Sequence, residues 1–298
     1  MGEKYLLHGA ASEIITPFTN NGEVDYELLE AEYEYLINNG ITGLFVNGLA
    51  SESLMLDVDQ RVEVVGRAVK VSNGRIPVFG NLINNSIDLA VQCMKRYEEC
   101  GVDGIFITPP LVYQYTAEGL YDYFAGIATA TVLPVYIYNA PETGNKVSPE
   151  VIAKLFKNIP NLRGYKDSTQ DIIHQQTLID LIGKERHFEL MAGSDAQILS
   201  TSLLGGKGVI SLITCVFPKL ILQLLDAIDK KDYEKAQELQ GKVLRVRQAL
   251  KVGPFMGAYK YVSNLTGSPL GKMKAPLREV SEVDKEKIKA MLALENMI

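Results

Sequence analysis

Short apolar runs alternate along this chain with longer stretches of helical period, and the alternation occurs eight times. The runs are SEIITPF (12–18), GLFVNG (43–48), IPVFGN (76–81), GIFITPP (104–110), PVYIYNAP (134–141), LRGYKDS (162–168), FELMAGSD (188–195) and GVISLIT (208–214). Where they are longest, as in VYIY and GVISLI, the apolar residues are continuous, which is the pattern of parallel strands covered on both faces. The segments between them repeat at helical spacing. Between the first two runs Leu28, Leu29, Glu32, Tyr33, Leu36 and Ile37 share one stripe, and Asn39-Gly40 supplies a stop; Asp88 to Cys100 behaves alike and ends at Gly101.

Eight strand–helix units between residues 12 and 214 predict a (β/α)8 TIM barrel. An open doubly wound sheet needs fewer strands and a Gly-rich first turn, and no GxGxxG follows strand one. Helical segments continue near 217–229, 231–250, 254–263 and 282–295, more than the single helix that closes a barrel. The expected division is therefore a barrel over 1–216, with the last barrel helix and a C-terminal helical extension over 217–298. No Pro, Gly or Ser-rich linker and no internal repeat separates the two.

Composition narrows the function classes. The 298 residues are 47% hydrophobic, ample for a large core. The 36 acidic and 30 basic residues are interleaved to a net charge of -6, with no basic block to neutralise a run of phosphates, so nucleic acid is not an expected partner. Around the start only Lys4 is basic and the apolar stretch before Glu13 is short, unlike a secretory signal; Gly2 lacks the downstream hydroxyl of a myristoylation site. No window approaches the ~18 apolar residues of a membrane span. A cytoplasmic protein with no membrane partner is the expectation. Cys93, Cys100 and Cys215 lack CxxC spacing, and His8, His174 and His187 are isolated, so neither a disulfide framework nor a metal or other cofactor is expected.

Working groups in such barrels sit at the C-terminal ends of the strands. Those ends offer Thr16, Asn47-Gly48, Asn81, Thr108, Tyr138-Asn139, Lys166-Asp167-Ser168, Ser194-Asp195 and Ser211. Lys166 is the sharpest of these, because a lysine inside an apolar strand is desolvated, and a neutral amine can attack a ketone to form an iminium electron sink. The competing reading is a structural ion pair with Asp167 or another carboxylate. Tyr138 ends the neighbouring strand and is placed to shuttle protons around Lys166; otherwise it is a locally bonded aromatic cap. The small residues Gly48 to Ser53 can present backbone N–H groups to an anion, although small residues are common in such turns. Gly205-Gly206-Lys207-Gly208 precedes strand eight, on the opposite face, and reads as a turn.

These residues resemble the dihydrodipicolinate synthase and N-acetylneuraminate lyase family of pyruvate-dependent class I aldolases on (β/α)8 barrels. The match spans strands one to eight in order. It includes Thr16-Pro17-Phe18 with Gly22 and Asp25, Gly48 to Glu52, Thr108-Pro109, Tyr138-Asn139-Ala140-Pro141 with Thr143-Gly144, Gly164-Tyr165-Lys166-Asp167, and Gly205 to Ser211. The resemblance implies that Lys166 forms the Schiff base and Tyr138 is the acid/base. It also implies that the Leu49-Ala50 backbone holds the pyruvyl carboxylate and that the Ile210 carbonyl lines the site. Tyr113 resembles the tyrosine that enters a neighbour's active site, which implies a homo-oligomer, a dimer or tetramer.

Two departures bear on substrate. The loop Gly48-Leu49-Ala50-Ser51-Glu52 lacks both hydroxyls of the family's usual Gly-Thr-Thr-Gly-Glu, so the proton relay from Tyr138 to Tyr113 is interrupted at Leu49 unless Ser51 or water replaces it. After Pro141 the synthases carry an arginine for an anionic aldehyde, whereas this chain has Glu142-Thr143-Gly144. The expected substrate is accordingly a 2-keto-3-deoxy sugar acid, its neutral tail bonded by Glu142, Ser168 or Thr169, cleaved to or formed from pyruvate. The alternatives are a 4-hydroxy-tetrahydrodipicolinate synthase that condenses pyruvate with aspartate semialdehyde, and a catalytically impaired homologue with a binding or regulatory role.

Overall fold

The computed structural model describes residues 5–183 and 187–298; Gly2 and Lys4, considered above for targeting, lie outside these. Strands and helices alternate as β1 (Gly9–Glu13), α1 (Tyr26–Asn38), β2 (Gly43–Val46), α2 (Val58–Ser72), β3 (Val78–Leu82), α3 (Ile87–Cys100), β4 (Gly104–Ile107) and α4 (Ala117–Ala128). They continue as β5 (Val135–Asn139), α5 (Pro149–Asn158), β6 (Leu162–Asp167), α6 (Ile172–Ile182), β7 (Glu189–Ala192), α7 (Ile198–Leu203), β8 (Gly208–Ser211) and α8 (Pro218–Asp229). Each strand pairs in parallel with its chain neighbours, and β8 returns to β1 through Ala11 opposite Ile210, which closes the barrel. The chain then adds α9 (Tyr233–Ala249), α10 (Gly257–Thr266) and α11 (Glu282–Leu294) as the C-terminal helical extension. None of the described helices is long and apolar enough to cross a membrane.

Strand one corrects the sequence expectation. It covers Gly9–Glu13, not 12–18, because the small residues Gly9 to Ser12 pair with Gly208 to Ser211 while Thr16-Pro17-Phe18 has already left the barrel. Phe18 bridges instead to Val24 and Lys272. The other strands lie within or close to their predicted runs, and all but β3, which runs on to Leu82, stop sooner, so Thr16, Asn47-Gly48, Thr108, Ser168 and Ser194-Asp195 sit in the loops of the C-terminal face. Those loops enter their helices through side-chain caps. Asp25, Asp57, Ser86, Thr116, Ser148 and Asp171 each accept an N–H of the first turn, which fixes where α1 to α6 begin.

Strand alternation divides the core in two. Outward residues pack under the helices, while Ala11, Phe45, Phe79, Phe106, Tyr136, Tyr138, Met191 and Ile210 fill the interior. Phe106 stacks on Tyr136 at 4.9 Å and meets Phe45 edge-on at 4.8 Å. The N-terminal end is closed by Glu189, whose Oε2 accepts the Tyr136 hydroxyl at 2.6 Å and the Leu7 N–H at 2.9 Å. With that end sealed, a ligand can approach the interior only from the face of the βα loops.

Candidate active site

Two register pairs build the site. Tyr138 on β5 stands opposite Lys166 on β6, and Glu13 on β1 stands opposite Phe45 on β2. Alternation turns all four side chains inward, because Ala11 two residues before Glu13 also faces the barrel interior. The Lys166 Nζ lies 3.8 Å from the Tyr138 ring centre and 4.0 Å from that of Phe45. Its ion partner is Glu13, with Nζ to Oε2 at 2.7 Å, and both side chains are shut off from solvent. The partner is not Asp167. That carboxylate points outward, accepting from Gln175 Nε2 at 2.7 Å and from the Tyr165 hydroxyl at 3.1 Å.

The electrostatics follow from burial. Desolvation disfavours the Lys166 ammonium and lowers its pKa below the ordinary lysine range, while the Glu13 carboxylate pulls the other way without cancelling the effect. Burial raises the Tyr138 phenol strongly and the nearby Glu13 and Glu142 charges add to this, with a hydrogen bond to Ser168 opposing. The site therefore holds an amine that is easier than usual to neutralise beside a phenol that is harder than usual to ionise.

The loop after β2 carries a further consequence of Glu13. Its Oε1 accepts the Ala50 N–H at 2.9 Å, so the amide expected to meet a substrate carboxylate is already bonded within the chain. Gly48 permits this approach: a Cβ there would stand 2.1 Å from Glu13 Oε1. Asn47 turns the chain with φ 62°, and its carbonyl accepts from Asn81, whose Oδ1 in turn accepts the Thr108 hydroxyl at 2.9 Å. The ends of β2, β3 and β4 are thus tied together beneath the loop. Thr16 also bonds the loop, donating to the Ser51 carbonyl at 2.6 Å. The Ser51 hydroxyl is buried and makes no hydrogen bond to the described residues.

A sequence profile of the Dihydrodipicolinate synthetase family matches residues 6–295. The chain belongs to that family. The 4-hydroxy-tetrahydrodipicolinate synthase of Methanococcus maripaludis strain C5 is 30% identical over 287 residues, covering 96% of this chain and 98% of that protein. The dihydrodipicolinate synthase structure from Thermotoga maritima superposes with a TM-score of 0.92 at 30% identity, covering 99% of this chain and all of that one. A prophage protein of the dihydrodipicolinic acid synthase family from E. coli, solved in complex with pyruvate, gives 0.93 at 27% identity over 99% of this chain and 100% of its own. Family members are carbon–carbon lyases that act through a lysine Schiff base with pyruvate, and this protein is an enzyme of that class, a class I aldolase.

Within this family member the remaining candidate residues are scattered around the mouth. Ile210 faces the interior on β8. Ser168 is half-buried and donates to the Gly193 carbonyl at 2.9 Å, and Thr169 follows it, its Oγ1 accepting the Asp171 N–H. Glu142 is exposed in the single turn after β5. Tyr113 is 67% exposed on the loop after β4 and is not brought to Lys166 within the chain. Asp195 and Ser211 bond each other and form part of the β7–β8 packing. The described residues contain no cluster of three His, Cys, Asp or Glu that could hold a metal ion. Glu13 is the residue missed from the sequence. Its signal is a charge inside an apolar run, but a strand that ends near Phe18 has Thr16 at its tip instead.

Proposed function

We propose that Lys166 is the Schiff-base nucleophile, Tyr138 its acid/base partner, and a 2-keto-3-deoxy sugar acid the preferred substrate. The observation that carries the chemistry is the wholly buried Lys166 amine against the Tyr138 ring at the open end of the barrel. As a neutral amine it adds to the keto carbon. The Tyr138 phenol then gives its proton to the departing hydroxyl, so water leaves, the iminium forms and a phenolate remains. That phenolate, made strongly basic by burial, removes the proton of the C4 hydroxyl. The C3–C4 bond breaks and its electron pair passes into the iminium, leaving an aldehyde and an enamine. Protonation of the enamine at C3 and addition of water release pyruvate and free Lys166.

The preference for a neutral tail rests on the turn after β5. Pro141-Glu142-Thr143 places an exposed carboxylate there and no cation, which disfavours a second carboxylate on the aldehyde. Ser168 and Thr169 supply hydroxyl groups on the adjacent strand end. Tyr113, exposed in one copy, fits contact with a second copy, and a homo-oligomer is part of this proposal.

Incubation with pyruvate and borohydride, followed by intact mass and peptide mapping, should place one pyruvyl adduct on Lys166; an adduct on another residue rejects the nucleophile, and no adduct rejects pyruvate as its donor. Cleavage of 2-keto-3-deoxygluconate should then outpace condensation of pyruvate with aspartate semialdehyde. The reverse order would assign the enzyme to the synthase reaction.

A further inference from the structure

A 2-keto acid joined to Lys166 carries its carboxylate on the carbon next to the one bonded to Nζ. Ordinary N–C and C–C bond lengths put that carboxylate carbon about 2.5 Å from the nitrogen, with its oxygens only slightly farther. The space beside Nζ already contains a carboxylate. Glu13 places Oε2 at 2.7 Å from Lys166 Nζ and takes the Ala50 N–H with Oε1 at 2.9 Å. The arrangement is built into the fold: Glu13 is the last residue of β1, its side chain is 4% exposed, and Gly48 leaves no Cβ where Oε1 lies. Phe45 and Tyr138 cover other sides of the ammonium. Two carboxylates in so small a buried space repel strongly, and only one of them can hold the ammonium and the amide.

We propose that Glu13 is a specificity-determining residue, a resident carboxylate that competes with the carboxylate of a 2-keto acid for Lys166 and the Ala50 N–H. This rests on Lys166 being the Schiff-base residue of the proposed function. A 2-keto acid enters as Glu13 turns out of this place. A carbonyl donor with no neighbouring carboxylate does not face that competition, so Glu13 shifts the balance from 2-keto acids towards neutral carbonyl compounds.

The test compares the wild type with Glu13→Ala and Glu13→Gln, using pyruvate and hydroxyacetone, which replaces the carboxylate of pyruvate by a hydroxymethyl group. Each is trapped with borohydride at a pH on the plateau of that variant's own Lys166 titration, so that the loss of the Glu13 charge does not change the fraction of free amine, and the concentration that labels half of Lys166 is read by mass. Glu13→Ala should lower that concentration for pyruvate about tenfold or more, and leave that for hydroxyacetone within about twofold. Glu13→Gln, which removes the charge and keeps the bulk, should fall between; it also carries the test if thermal melting shows Glu13→Ala unfolded. No gain for pyruvate in either variant, or an equal shift for both compounds, overturns competition for a carboxylate subsite while leaving Lys166 as nucleophile. Wild type labelled by hydroxyacetone alone, with pyruvate labelling gained in Glu13→Ala, supports the role of Glu13 and overturns the 2-keto acid as natural donor. Failure of both compounds to label Lys166 in any variant overturns the Schiff-base reading and the competition with it.

Discussion

Burial and Glu13 pull the Lys166 ammonium in opposite directions, and burial prevails, which places its titration below the 10.5 of an ordinary lysine. Below the lowered pKa the amine is protonated and held by Glu13; above it the amine is free to attack. The rate of adduct trapping should therefore rise with pH to a plateau, with a midpoint under 10.5, and the midpoint should fall further in Glu13→Gln, where the carboxylate that raises it is gone. A wild-type midpoint at or above 10.5 would contradict this. Tyr138→Phe keeps the ring over Nζ and removes only the hydroxyl, so turnover of a cleavable substrate should drop about 10²–10⁴-fold while Lys166 can still be labelled. Unchanged turnover would exclude Tyr138 as the acid/base. Lys166 and Tyr138 were legible because a polar group in an apolar strand of known parity has few places to go. Glu13 offered the same signal, but its meaning depended on whether the strand ended at Glu13 or beyond Phe18. That boundary is set by the last pairs with both neighbours, Glu13 opposite Phe45 on β2 and Ser12 opposite Ser211 on β8, the latter nearly 200 positions away.

The end of β1 and the loop after β2 behave as one element, joined by Glu13 to Ala50 and Thr16 to Ser51. Gly48 is where they touch. An added Cβ would meet Glu13 Oε1 at 2.1 Å, Phe45 Cε1 at 2.5 Å and Glu13 Cδ at 2.6 Å, so Gly48→Ala should cost about 1–3 kcal/mol in denaturant unfolding. Two of those three atoms belong to Glu13. The cost should consequently shrink in a Glu13→Ala background, a coupling within about 0.5–3 kcal/mol, whereas strict additivity would mean that Phe45 or the backbone sets the strain. Strand centres and helix stops were readable here from local chemistry, as Asn39-Gly40 and Gly101 show, with Gly40 and Gly101 at φ 86° and 88°. The loop offers backbone N–H groups to an anion, but sequence alone does not say that the Glu13 carboxylate of another strand takes the Ala50 N–H.

For the whole molecule, counting strand–helix units was enough to predict closure, and the helical period located the extension to within a few residues. Its docking was not legible, since no local pattern connects positions 16, 52 and 260. In the folded chain Lys260 of α10 reaches into the barrel mouth, donating to the Thr16 carbonyl at 2.8 Å and the Lys272 carbonyl at 2.7 Å, and faces Glu52 Oε1 at 2.7 Å with both side chains buried. Burial alone raises the Glu52 pKa, with Lys260 opposing. Lys260→Met takes away the main cation of that carboxylate, leaving only the weaker influence of Lys274, and should cost about 3–5 kcal/mol at neutral pH. Adding Glu52→Gln should recover part of the loss. The sign of the pH dependence follows from linkage: a carboxyl whose folded pKa lies above its unfolded value loses its contribution to stability as pH rises through the folded value. Without Lys260 the Glu52 pKa climbs further, so the deficit of Lys260→Met relative to wild type should be smallest below 4.5, the ordinary glutamate value, and widen as pH increases. Urea unfolding of both proteins across that range checks it. A deficit that is constant with pH would mean that Lys260 holds the extension through its carbonyl bonds alone and that Glu52 is not its electrostatic partner.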